Sequence, residues 1–228
     1  MNLIKKSIFL TLVLSLISIS VRADVNVVTT IKPLHSLISN VMKGVGEPSL
    51  IIEGTSNPHN FVLKPSHAKL LQDADIIFWI GEDLEAFMEK PLSSLAKDAK
   101  KISFMELGSI KKLKFRENNI FDHDDHDGHK EDDHDDHDGH NHGEFDAHLW
   151  LDPVNAKEMV IEISHELSEL DPANKNKYKA NADKTIEVLD SLIKEVNQSL
   201  PKDISYVVFH DAYQYFEKRF EVTSAGAL

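Results

Sequence analysis

The chain has 228 residues, no cysteine, and 38 acidic against 25 basic side chains, a formal net charge of −13 with its 13 histidines counted neutral. Without cysteine, disulfides, thiolate metal sites and lipid attachment through an N-terminal cysteine are excluded. So acidic a balance is poorly suited to nucleic acid, and no basic patch with interleaved aromatics offsets it; attraction to cations is the more natural reading.

Residues 1–23, MNLIKKSIFLTLVLSLISISVRA, place Lys5 and Lys6 before an apolar run from Ile8 to Val21 and end in Val-Arg-Ala. This is the pattern of a secretory signal peptide cleaved after Ala23, and the run is too short and too interrupted by serine for a spanning helix. The mature protein is expected to be soluble and exported, most simply to a periplasm. It is long enough for one substantial domain, or for one domain and part of another.

VNVVTTI then reads as a buried strand, followed by a helix opening at Pro33. Residues 49–52, SLII, form a short second strand, and GTSNPHNF after them is a loop by its Gly, Asn and Pro content. Pro65 opens a helix to about Gln72, and Asp75 leads into the strand IIFWI, which Gly81 stops. A helical stretch over 82–96, interrupted at Pro91, precedes the strand KISFM. Strands alternating with helices argue for an α/β fold with a parallel sheet covered on both faces.

Residues 121–146, FDHDDHDGHKEDDHDDHDGHNHGEFD, interrupt this order. They carry His123, His126, His129, His134, His137, His140 and His142 among twelve carboxylates and one lysine, and the unit HDDHDGH occurs twice. No apolar residue lies between Phe121 and Phe145, so the segment has nothing to bury. Imidazole and carboxylate are good ligands for divalent first-row metals, and the segment is expected to be a disordered loop that collects them weakly.

After HLWLDP comes a helix from Pro153 to Leu170. A second helical pattern follows Asp171-Pro172 and runs to about Leu200, with Tyr178, Ile186, Leu189, Ile193 and Val196 near helical spacing. At about 1.5 Å per residue it spans roughly 35–45 Å, long enough to be a strut between lobes. Beyond Pro201, ISYVVFHDAYQYFEKRF reads as a strand running straight into a helix, and VTSAGAL starts a further strand. A lone βαβ fragment cannot cover its own sheet, so a truncated second lobe is expected.

Three histidines outside the acidic segment sit where ligands of open α/β sheets gather, near the carboxyl ends of strands. His59 lies in the loop after the second strand, His148 beside Leu149 and Trp150 before LDP, and His210 at the end of VVF. Each alone is compatible with a core or capping histidine; together they supply three neutral imidazoles, a half-shell for tetrahedral Zn²⁺. Asp211 reads either as an acceptor behind a ligand imidazole or as an N-cap. His35 is placed at a cleft rim, while His67 and His165 read as ordinary surface or core residues. Phe78 and Trp79 read as packing, and of Tyr213, Tyr215, Phe216 and Phe220 in the last helix most are expected to pack the second lobe.

VVTTIKPLHSLI, NPHNFVLKPSHAKLLQDADIIFWIGEDLEAFM, DAHLWLDPVNA and FHDAYQYFEKRF, in this order over almost the whole mature chain, resemble the motifs of the zinc-binding solute-binding proteins of metal ABC importers, the ZnuA-like members of cluster A-I. The histidine-rich insertion before DAHLWLDP is similar to that of the zinc members. The resemblance implies a two-lobed metal solute-binding fold whose parallel sheets are joined by one long helix. Residues 24–170 would form the first lobe, 171–200 the interlobe helix and 201–228 the start of the second lobe, with limited closure on the ion. It implies His59, His148 and His210 as ligands, Zn²⁺ as the transported ligand, no catalysis, and a monomer that delivers to an ABC permease. Manganese-binding relatives carry a carboxylate where His210 stands, which favours zinc. The family's fourth position is filled by an acidic side chain or water. Pro58 stands where some zinc members have a glutamate ligand, so the fourth partner stays open between the two, with open access by water the expectation. Rival readings are an adhesion protein of the same fold and a secreted zinc hydrolase, against which the lack of an HExxH helix counts.

Overall fold

The computed structural model describes residues 25–116, 143–201 and 203–228. The expected signal peptide and the loop histidines from His123 to His142 lie outside the described residues. Strands β1 (Val27–Thr29), β2 (Ser49–Leu50), β3 (Ile76–Trp79) and β4 (Lys100–Ser103) form one sheet in the order β2-β1-β3-β4. Every pairing is parallel, with Val28 opposite both Ser49 and Ile77. All four residues of β3 are buried, as a central strand covered on both faces requires.

Helix α1 (Lys32–Val41) has proline in its first turn and buries Leu34, Ile38 and Val41, a stripe at helical spacing turned into the core. Asn181 donates to the carbonyls of Val41 and Lys43 at 2.8 and 3.0 Å, meeting acceptors left over at the end of α1. Helix α2 (Pro65–Gln72) agrees with the sequence expectation to the residue. Gly81 ends β3 at φ +150°, and a Cβ there would press to 3.0 Å from Met105, so only glycine suits the turn.

The stretch expected to break at Pro91 breaks earlier. Helix α3 (Glu82–Glu85) and helix α4 (Glu89–Ser94) are separated by a 3₁₀ turn at Ala86–Met88. Pro91 falls in the first turn of α4, where its missing N–H costs little, because first-turn donors have no acceptor inside the helix.

Helix α5 (Pro153–Leu170) is capped by the Asp152 carboxylate, which accepts the Val154 N–H at 2.9 Å. It packs along helix α6 (Lys175–Ser199), 25 residues long, about 37 Å at about 1.5 Å per residue. Tyr178 and Ala182 are buried against the first body, whereas Val188 and Leu192 further along are exposed. Among the described residues no helix is long and apolar enough to cross a membrane.

Helix α6 leads to a second parallel pair, β5 (Val207–Val208) and β6 (Gly226–Ala227), with α7 (Gln214–Phe220) between them in sequence. The α/β architecture of two parallel sheets joined through a long helix is thus as expected. The expected direct run from strand into helix is corrected. Residues 209–211 are bends and Tyr213 is the N-cap of α7, so Asp211 caps nothing.

Candidate metal centre

His59 sits in a 3₁₀ turn, Pro58–Asn60, that follows β2 and packs against α3. Asn57 caps the turn by accepting the His59 N–H at 3.0 Å. His148 precedes the 3₁₀ turn Leu149–Leu151 and is only 5 % exposed. The Asp146 carboxylate, 1 % exposed, accepts the His148 N–H at 2.9 Å and lies 2.7 Å from its ring Nδ1. A carboxylate at Nδ1 favours the proton there, leaving the Nε2 lone pair available on the other side of the ring. His210 follows β5 and is exposed.

These three residues, far apart in sequence, converge. Their ring centroids lie 5.1, 5.3 and 5.5 Å apart, and one ring nitrogen from each falls within 4.8 Å of the others. The Nε2 atoms of His148 and His210 are 3.3 Å apart. Two nitrogens bound tetrahedrally at about 2.0–2.1 Å from Zn²⁺ stand roughly 3.3–3.4 Å from each other, so this edge already has the spacing of a zinc site. Depth differs among the three: His148 is buried, His59 half-buried, and His210 faces solvent.

Helix α7 fastens this site to the first body. The Tyr215 hydroxyl accepts the Leu113 N–H at 2.9 Å and donates to the Asp146 carbonyl at 2.7 Å, while Gln214 reaches the Lys114 carbonyl at 3.0 Å. Arg219 forms a bidentate pair with Asp152 at 2.7 and 2.8 Å. Tyr215 therefore holds the segment carrying Asp146 rather than merely filling the second lobe.

Two carboxylates are not read as supports from the sequence. Asp146, counted there with the disordered acidic segment 121–146, is instead 1 % exposed in the folded body, next to the Phe145–Lys114 bridge, and Glu85 lies in the core. Asp146 was findable: an acceptor two residues before a candidate ligand is a local D-x-H signal. Glu85 was not. It is fully buried, accepting from the Thr30 hydroxyl and from the backbone N–H groups of Ile80 and Gly81 at 2.9 and 3.1 Å. Burial pushes its carboxyl up to about 7, against the opposing pull of those hydrogen bonds.

Asp211, expected behind an imidazole or at a helix cap, instead faces Arg116 at 3.6 Å. Burial raises its carboxyl above the usual range, partly countered by that guanidinium. His35 bonds the Pro48 carbonyl at 3.1 Å and Ser39 at 3.4 Å and is not one of the converging rings. His67 accepts the Lys64 N–H at 3.1 Å, stacks on Phe61, and has its pKa lowered by burial, an ordinary helix-start role. Phe78 and Trp79 are core.

If this cluster holds a metal ion, replacing Asp146 with asparagine is expected to weaken its binding about 10–100-fold, the usual consequence of losing the carboxylate behind a ligand imidazole. Competition with a chelator of known affinity measures it.

Residues 27–228 match the family model described as ZnuA, zinc-uptake complex component A periplasmic. The high-affinity zinc uptake system protein ZnuA of Brucella abortus is 43% identical over 222 residues, covering 89% of this chain and 66% of that protein. Its counterpart from Yersinia pestis is 33% identical over 212 residues, covering 90% of this chain and 65% of the relative. The chain thus spans about two thirds of the length of the curated relatives it matches. Among solved structures, the Zn(II)-bound ZnuA-like domain of Streptococcus pneumoniae AdcA aligns with a TM-score of 0.68 at 26% identity, covering 90% of this chain and 67% of that one. On the match of the family model to nearly all of the chain after the leader-like segment, this protein belongs to the ZnuA family.

Proposed function

We propose that this protein captures Zn²⁺ between His59, His148 and His210 and hands it to the membrane permease of an ABC importer, catalysing no reaction. The convergence of three imidazoles, with one edge already at tetrahedral spacing, carries the reading. An all-nitrogen donor set suits zinc better than the oxygen-preferring cations. The relatives named for high-affinity zinc uptake support the same cargo. In this reading residues 1–23 direct export to the periplasm, where the protein works as a monomer. The first lobe is 24–170, the connecting helix region 171–200, and 201–228 belongs to the second lobe. The histidines from His123 to His142 hold further zinc weakly, and water completes the coordination on the solvent side, beside His210.

A chelator-buffered Zn²⁺ titration of the exported chain tests this. One tight equivalent is expected, clearly separated from weaker binding. Its affinity should fall steeply as pH drops from 7 toward 5, because protons compete for imidazoles that bind metal only when neutral. No tight equivalent, or one indifferent to pH over this range, would sink the proposal.

A further inference from the structure

His59 and His148 are each fixed by a neighbour two residues away, Asn57 and Asp146. His210 is mounted differently. It lies in the bends after β5, next to Phe209, which is 86 % exposed, and its carbonyl accepts the Ala212 N–H at 2.8 Å. The next side chain, Asp211, faces the Arg116 guanidinium at 3.6 Å. The same guanidinium nitrogen bonds Glu217 in α7. Glu217, 4 % exposed, also accepts the Tyr206 hydroxyl at 3.0 Å and the Ser224 N–H at 3.3 Å, residues that lie just before β5 and β6.

Arg116 lies in the segment that follows β4, and its guanidinium meets Asp211 and Glu217, both on the far side of His210. Glu217 in turn holds Tyr206, just before β5, so the stretch that presents His210 is tied at one end directly and at the other through Glu217. We propose that Arg116 is a positioning residue of the metal centre, holding the His210 loop against His148 through Asp211 and Glu217. The inference rests on the zinc reading above. Arginine suits the task because its planar fork offers several donors to two carboxylates from different elements, where the compact ammonium of lysine acts as a point charge. Without it, two acidic side chains would face each other with no cation between them, and Asp211 would be free to swing away, carrying His210 off the edge it forms with His148.

The test uses the whole chain, with a competing chelator strong enough to strip weakly held zinc. Arg116→Gln is expected to weaken the tight site about 10–100-fold, as loss of an outer positioning contact does elsewhere. Bound Co²⁺ should lose the intense visible absorption of tetrahedral coordination, and Arg116→Lys should recover part of both signals. Asp211→Asn, which leaves the Glu217 pair intact, should give a smaller change in the same direction. In a His210→Ala background Arg116→Gln should cost nothing further, because the imidazole it positions is gone. As a control, Lys100→Gln removes an ion pair with Glu166 of α5 that touches none of the three histidines or their supports, and should lower the unfolding temperature with zinc affinity nearly unchanged. If Arg116→Gln binds within twofold of the parent, or still costs tenfold without His210, the positioning role is wrong. Absence of the tight equivalent in the parent chain would instead overturn the zinc reading itself.

Discussion

Replacing His148 with alanine is expected to lower zinc affinity by roughly 100- to 1,000-fold, the share of one ligand in the 10–16 kcal/mol of a closed zinc site. The same change should destabilise the metal-free protein. The imidazole is buried, and its removal leaves the Asp146 carboxylate, 1 % exposed, without the ring it lies against. His210→Ala should cost comparable affinity with little loss of stability, since that ring faces solvent. Chelator competition and thermal unfolding of the two apo variants separate these effects. Equal stability loss in both would contradict the difference in depth.

Glu85 provides the second large effect, on folding rather than binding. Its carboxyl is raised from an ordinary 4.5 to about 7, so the folded chain holds that proton more tightly than the unfolded chain does. The resulting stability is fully present below about pH 4.5 and is lost as pH rises toward 7, a span of about 3 kcal/mol for this one group. Glu85→Gln keeps the shape and a neutral head, and is expected to flatten this slope and to hold or raise the melting temperature at pH 8. Glu85→Ala strands the Thr30 hydroxyl and the N–H groups of Ile80 and Gly81, and should cost about 3–5 kcal/mol, a fall of roughly 10 °C. Melting curves from pH 4.5 to 8 decide it; a Gln variant with the parent's slope would assign that slope to other groups.

Local signals made much of the framework legible in the sequence. Pro33, Pro65 and Pro153 stand in the first turns of α1, α2 and α5, and the apolar spacing from Tyr178 onward announced α6 within a few residues of its ends. The 3₁₀ turn at Ala86–Met88 was not legible, because it answers to the burial of Glu85 and Met88 rather than to any local breaker. Strand β5, only two residues long, ends where the chain bends to present His210, a turn that β-branched composition does not announce. The three imidazoles were read from their placement after strands and from the family motifs. Their supports were harder: Asp146 lay two residues away, but Glu217 stands 101 residues from Arg116 and Thr30 55 residues from Glu85, beyond any local pattern.

The unequal depth of the three imidazoles sets an order in time. If the three rings hold the proposed ion, it would meet exposed His210 first and buried His148 last, and would leave in the reverse order. On the proposed function, a permease that drew His210 aside would leave the ion on two donors, with His148 and Asp146 still held in the interior. Unloading on that reading would begin at the exposed ring and leave the buried one until last.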